Sequence, residues 1–227
     1  MGNTLFGIDF SDVPSVRNDR LLISLAFLVG TLLTGVFNNF PAQRDNAMVF
    51  IVLLIVWAFV FFDEMLSARG NSQLDLIGLG RQPLNAMLVG FAMFVPIIVF
   101  GFYGRSSIIP LINQSIAADN VFGFVYVVLL APFVEALFFR GLLIPELALI
   151  LRKFAGFDSV VSGLLGVLGS AAMFAWYHWY VFGGNSTNLT FTFIFGIIAG
   201  LGVYATRSIA FEFGFHGANN LMAFVGV

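Results

Sequence analysis

Seven apolar runs of membrane-crossing length, or close to it, constrain this chain more than any other feature. They extend from Leu21 to Phe37, Ala47 to Phe62, Leu84 to Tyr103, Phe122 to Ile144, Val160 to Phe182, Leu189 to Ala205 and Ser208 to Val227. A helix needs about 20 apolar residues to cross the hydrocarbon of a bilayer, within a range of roughly 17–25. The second run is short, and only a few residues around Arg207 part the sixth from the seventh, so the count lies between six and eight. Composition excludes the soluble alternative. The 227 residues are 59% hydrophobic and 10% charged, against about 25% charged in a soluble domain, and one core of this size cannot hide so much apolar surface. The expected fold is an all-α, polytopic transmembrane helical bundle of about seven spans, with membrane lipid as its main solvent.

Residues 1–20 are polar and carry no signal-peptide pattern, and the first run lacks a small-residue cleavage site, so it reads as an anchor. The chain divides into this N-terminal segment and a single transmembrane domain, residues 21–227. Lys and Arg collect on the cytoplasmic side of membrane proteins. With the N-terminus inside, the inner segments hold Arg17, Arg20, Arg69, Arg81, Arg152, Lys153 and Arg207, and the outer segments hold Arg44 and Arg105. That division places the N-terminus in the cytoplasm and the C-terminus outside. The net charge of −2 offers no basic face for nucleic acid. The absence of cysteine excludes disulfides and thiolate metal sites. Gly196 and Gly200 form a GxxxG pair, and Gly163, Gly166 and Gly169 thin one side of the fifth run, both marks of close helix packing.

Ionisable side chains are costly in lipid, about 2.5–3.5 kcal/mol each on insertion scales, and tend to face the bundle interior with a task to perform. The fourth run carries Glu135 close to Pro132, which frees a backbone carbonyl and can kink the helix. The fifth ends with Phe174 and His178 four residues apart, on one helix face. The seventh holds His216 and Asn220 at the same spacing, with Gly217 and Ala218 leaving that face uncrowded. Asn219 points about 100° away from Asn220 and is the weaker partner. A single histidine near an interface is more often packing than chemistry, but these motifs together use both histidines of the chain. A carboxylate and a neutral imidazole can hold and deprotonate water, while a second imidazole with a carboxamide supplies donors for an oxyanion. Alternatively, Glu135, His178 and His216 make up a ligand set suited to catalytic zinc, with water in the fourth position. Both routes lead to hydrolysis of a carbonyl substrate, and no serine- or cysteine-based nucleophile fits better.

From about Phe122 to the C-terminus the sequence resembles the CPBP family of intramembrane proteases, which includes the type II CAAX prenyl endopeptidases and bacteriocin-processing or immunity proteins. The family pattern is EExxxR, FxxxH and HxxxN or HxxxD on successive membrane helices. It corresponds here to Glu135-Ala136 with Arg140, to Phe174 with His178, and to His216 with Asn220. The resemblance implies a catalytic core over 122–227 in which Glu135 is the base and His178 helps to activate water. His216 and Asn220 would stabilise the oxyanion. It implies a substrate that is a membrane-anchored protein or peptide, with prenylated CAAX proteins as the best-known class. It favours a metal-free glutamate mechanism with no cofactor over a zinc-dependent one.

One position departs from the pattern, because Ala136 stands where the family has its second Glu. A Glu there would pair with Arg140 across one helical turn. Glu135, five residues before Arg140, sits about 140° around an α-helix from it. Glu212, one turn before His216, is expected to supply the missing carboxylate, unless it and Arg140 both extend to the cytoplasmic interface. The lost second Glu is also the one feature favouring a non-proteolytic immunity or scaffold protein of the same family. A proton-coupled transporter would also use intramembrane Glu and His, but it predicts repeated halves that the sequence does not display.

Overall fold

The computed structural model describes residues 4–5, 8–9, 82–101, 124–179 and 182–225. Among these residues the body of the protein is helical: α1 (Pro83–Gly101), a composite α2 (Val125–Ala155), α3 (Ser159–Tyr177), α4 (Ser186–Thr206) and α5 (Ala210–Val225). The one departure from the all-α expectation is a minimal hairpin in the N-terminal segment. There β1 (Thr4–Leu5) pairs antiparallel with β2 (Ile8–Asp9), Thr4 opposite Asp9. The runs at Leu21–Phe37 and Ala47–Phe62 lie outside the described residues. Three described helices are long and apolar enough to cross a membrane: Val127–Ala155, Ser159–Tyr177 and Ser186–Thr206.

The termini of these helices follow from local chemistry. Gly156 ends α2 in the left-handed conformation, φ 69°, which glycine adopts without a side-chain clash. Two residues on, the Asp158 carboxylate accepts from the Val160 and Val161 amides at 2.8 and 2.9 Å and opens α3. Asn185 caps α4 in the same way through the Asn188 amide. Left-handed Arg207 ends α4, and Ser208 Oγ accepts from the Ala210 amide to start α5. Such short connections force α2, α3, α4 and α5 to run alternately up and down. The small residues set their spacing. Gly166 lies against the Ile144 carbonyl and Ala148 of α2, while Gly196 and Gly200 lie against Ala171 and Val167 of α3.

Helix α2 is not a regular α-helix. Its π-helical segments, Val125–Leu130 and Ala136–Leu143, alternate with the α-helical segments Ala131–Glu135 and Ile144–Ala155. Each α-helical segment carries a proline, Pro132 or Pro145, in its first turn. A proline cannot donate to the preceding turn and its ring crowds the carbonyl there. The backbone just before each proline opens into the wider i→i+5 register, a form concentrated at functional sites. The fourth apolar run, expected to end at Ile144, continues as helix to Ala155. Glu146, Arg152 and Lys153 dilute its hydropathy without breaking it, and Ile144 and Ala148 are still buried there.

Helix α1, which the sequence offered only as topology, packs along α5. A Cβ at Gly90 would run into the Phe211 carbonyl, and one at Gly214 would run into the Met87 carbonyl. The two backbones meet at reciprocal glycines, so α1 fixes the position of the helix that carries Glu212, His216 and Asn220. Gly90→Ala or Gly214→Ala is expected to destabilise the protein by about 1–3 kcal/mol, the usual range for overpacking. Thermal unfolding in detergent measures it.

Candidate active site

The wide turn of α2 changes which of its charges share a face. Glu135 ends an α-helical segment and Arg140 lies in the π-helical run that follows. The divergence of about 140° expected for an α-helix is therefore corrected. In the wider i→i+5 register a residue five along lies closer to the starting face than it does in an α-helix.

Helix α5 presents its own pair of polar side chains to this face. Arg140 Nη2 lies 3.0 Å from Glu212 Oε1, with both side chains 0% exposed, so neither reaches an aqueous surface. The contact is an ion pair by distance, but the N–H is not aimed well enough for a hydrogen bond. Toward the other end of α5, His216 Nδ1 lies 3.7 Å from Glu135 Oε2, beyond direct hydrogen-bond range. The two contacts follow the antiparallel run of α2 against α5.

Phe174 joins these groups to α3. The Arg140 guanidinium sits 4.7 Å from the centre of its ring, within cation–π range. The same ring lies 4.5 Å from His178 and 5.8 Å from His216, centre to centre. Arg140 Nη1 also reaches Ser170 Oγ at 3.5 Å, and that hydroxyl donates to the Phe139 carbonyl at 2.6 Å. His178 caps the C-terminus of α3, where its Nδ1 meets the Phe174 carbonyl at 2.8 Å. A carbonyl can only accept, which assigns the proton to Nδ1 and leaves the lone pair on Nε2.

Asn220 is held from two sides. Its Nδ2 donates to the Val127 carbonyl at 2.9 Å, and its Oδ1 accepts from Asn219 Nδ2 at 3.0 Å. In the π register the natural donor to that carbonyl would be residue 132, a proline without an N–H. The Asn220 amide takes its place. One N–H of the carboxamide remains for other use. Asn219 thus orients its neighbour despite pointing elsewhere.

Glu135, His178 and His216 have the donor types for zinc, but their placement does not fit it. Among the described residues no group of three or more His, Cys, Asp or Glu side chains converges to hold a metal ion. Ser170 and Phe139, which contact Arg140, and Gly90 and Gly214, where α1 meets α5, belong to no motif legible in the sequence. A lone serine or glycine in an apolar helix gives only the weak signal that something approaches closely there.

Residues 117–222 match the family model described as type II CAAX prenyl endopeptidase Rce1-like. No curated protein and no solved structure matches the chain. The matched stretch spans α2 to α4 and α5 as far as Met222, and so includes Glu135, Arg140, Phe174, His178, Glu212, His216 and Asn220. Three helices of membrane-crossing length and a matched stretch from residue 117 to residue 222 mark the chain as an integral membrane protein with a type II CAAX prenyl endopeptidase Rce1-like region.

Proposed function

We propose that the protein is an endopeptidase that hydrolyses a peptide bond of a membrane-anchored protein, with Glu135 as general base. The observation that carries this reading is the carboxylate of Glu135 facing the His216 imidazole at 3.7 Å within the family-matched helices. One water donating to both Glu135 Oε2 and His216 Nδ1 would be held and oriented between them. Glu135 takes a proton from that water as its oxygen attacks the substrate carbonyl, and returns the proton to the leaving amine. His178 Nε2 can take the place of His216 Nδ1 as the acceptor for the second proton of that water. His216, with its proton on Nε2, and the remaining N–H of Asn220 donate to the oxyanion. No step needs a metal. A prenylated CAAX peptide is the substrate class to which the family points.

The test is cleavage of a fluorogenic prenyl-CAAX peptide by the protein purified in detergent, with and without a zinc chelator. Equal cleavage in both is expected. Loss of cleavage with the chelator would replace the glutamate route by a metal-dependent one. An intact peptide with a folded protein would favour the non-cutting member of the family.

A further inference from the structure

Three hydroxyls in α3 and α4 serve their own helix. Ser162, Thr192 and Thr206 each donate to the carbonyl four residues earlier, those of Asp158, Asn188 and Gly202, at 2.6, 2.8 and 2.8 Å. That is the usual local bond of such side chains within a helix. Ser170 does not follow it. Its hydroxyl crosses from α3 to α2 and donates to the Phe139 carbonyl at 2.6 Å, with both residues fully buried.

The acceptor of that bond lies within the π-helical run Ala136–Leu143, directly before Arg140. The hydroxyl has one proton, committed to Phe139, and its lone pairs face Arg140 Nη1 at 3.5 Å. Arg140 Nε and Nη2 have no hydrogen-bond partner among the described residues. The hydrogen bond that the guanidinium does make therefore runs to Ser170, and it holds the group over the Phe174 ring.

Earlier in α3, on the side away from His178, the two helices meet by close packing. Gly166 lies against the Ile144 carbonyl and Ala148, and Gly169 against Leu147. Apolar packing is non-directional, whereas a hydrogen bond fixes both distance and angle. The Ser170 bond lands four residues from Glu135 in α2, and it leaves α3 eight residues before His178, about 12 Å of helix rise. A slip of α2 along α3 at this point passes directly into the offset between the Glu135 carboxylate and the His178 imidazole. We propose that Ser170 is a positioning residue for the hydrolytic reaction: its hydroxyl pins α3 to α2 beside Arg140 and so sets the placement of Glu135 against the histidines. This role rests on the endopeptidase reading above.

The test compares four proteins in detergent on a fluorogenic prenyl-CAAX peptide: wild type, Ser170→Ala, Ser170→Thr and Ser170→Val. Thermal unfolding of the same preparations gives the folded fraction of each. Ser170→Ala removes one buried atom and adds none. It is expected to lower kcat per folded molecule by about 10- to 100-fold, since misplacing reacting groups by about 1 Å costs up to about 10²-fold. KM should stay within about twofold, because the buried Ser170 meets no substrate. Threonine and valine share a shape and differ in the hydroxyl, so Ser170→Thr should keep at least tenfold more kcat than Ser170→Val. Unchanged kcat per folded molecule in Ser170→Ala, a rise in KM in place of a fall in kcat, or equal kcat for the threonine and valine variants would each overturn the proposal while the endopeptidase reading stands. A folded wild type that leaves the peptide intact would remove that reading, and this role with it.

Discussion

Glu135→Gln is expected to lower kcat/KM for peptide cleavage by about 10²- to 10⁴-fold, the contribution of a positioned general base, while leaving the protein folded. Glutamine keeps the length and shape of the side chain and can still contact water, but it cannot take up a proton. The mostly buried carboxylate at this position has no hydrogen-bond partner for Oε2. A neutral amide is cheaper to bury there than a carboxylate, so thermal stability should be unchanged or slightly raised. Glu135→Asp separates the two demands, since it keeps the charge but withdraws it from His216 by one methylene. Kinetics and thermal unfolding measured on the same preparations decide the point. A variant that lost activity only because it unfolded would not bear on the role of Glu135.

Glu212→Gln should act through stability as well as turnover. It leaves the Arg140 guanidinium buried without its carboxylate, and breaking a buried ion pair from one side costs about 3–5 kcal/mol. Replacing both partners by apolar residues, as in Arg140→Met with Glu212→Leu, should recover most of that loss, because no charge is then stranded. Activity should not recover with it. Arg140 lies over Phe174, and Phe174 lies against both His178 and His216, so the pair is expected to hold the histidines in place as well as balance charge. A double variant that regained both stability and cleavage would reduce the pair to a structural role. The family pattern places a second Glu at position 136, where this chain has a fully buried Ala136. The pair across helices α2 and α5 would make that glutamate dispensable.

Much of the site could be read from the sequence because lipid makes each ionisable residue conspicuous. Glu135, Arg140, Glu212 and the two histidines stand out in apolar runs for that reason alone, and a spacing of four puts Phe174 with His178 and His216 with Asn220. What spacing could not supply was the shape of α2. The π-helical run brings Glu135 and Arg140 toward a common face, and it depends on how the helix widens before Pro132 and Pro145. The bond from Asn220 to the Val127 carbonyl was equally hidden, since backbone acceptors leave no letter in a sequence. The close approach of α1 to α5 rests on Gly90 and Gly214, single glycines on separate helices without a GxxxG pattern to announce them. The extension of α2 to Ala155 was missed because hydropathy falls at Glu146, Arg152 and Lys153, although the helix continues to pack against Gly166.

Hydrolysis of a peptide bond by water that Glu135 activates is the central step of the proposed function. The most direct test is mass spectrometry of a prenyl-CAAX peptide after incubation with the purified protein in water enriched in oxygen-18. The predicted result is two fragments, with one heavy oxygen in the newly formed carboxylate, from wild type but not from Glu135→Gln. Fragments formed equally by Glu135→Gln, or an intact peptide with well-folded wild type, would contradict it.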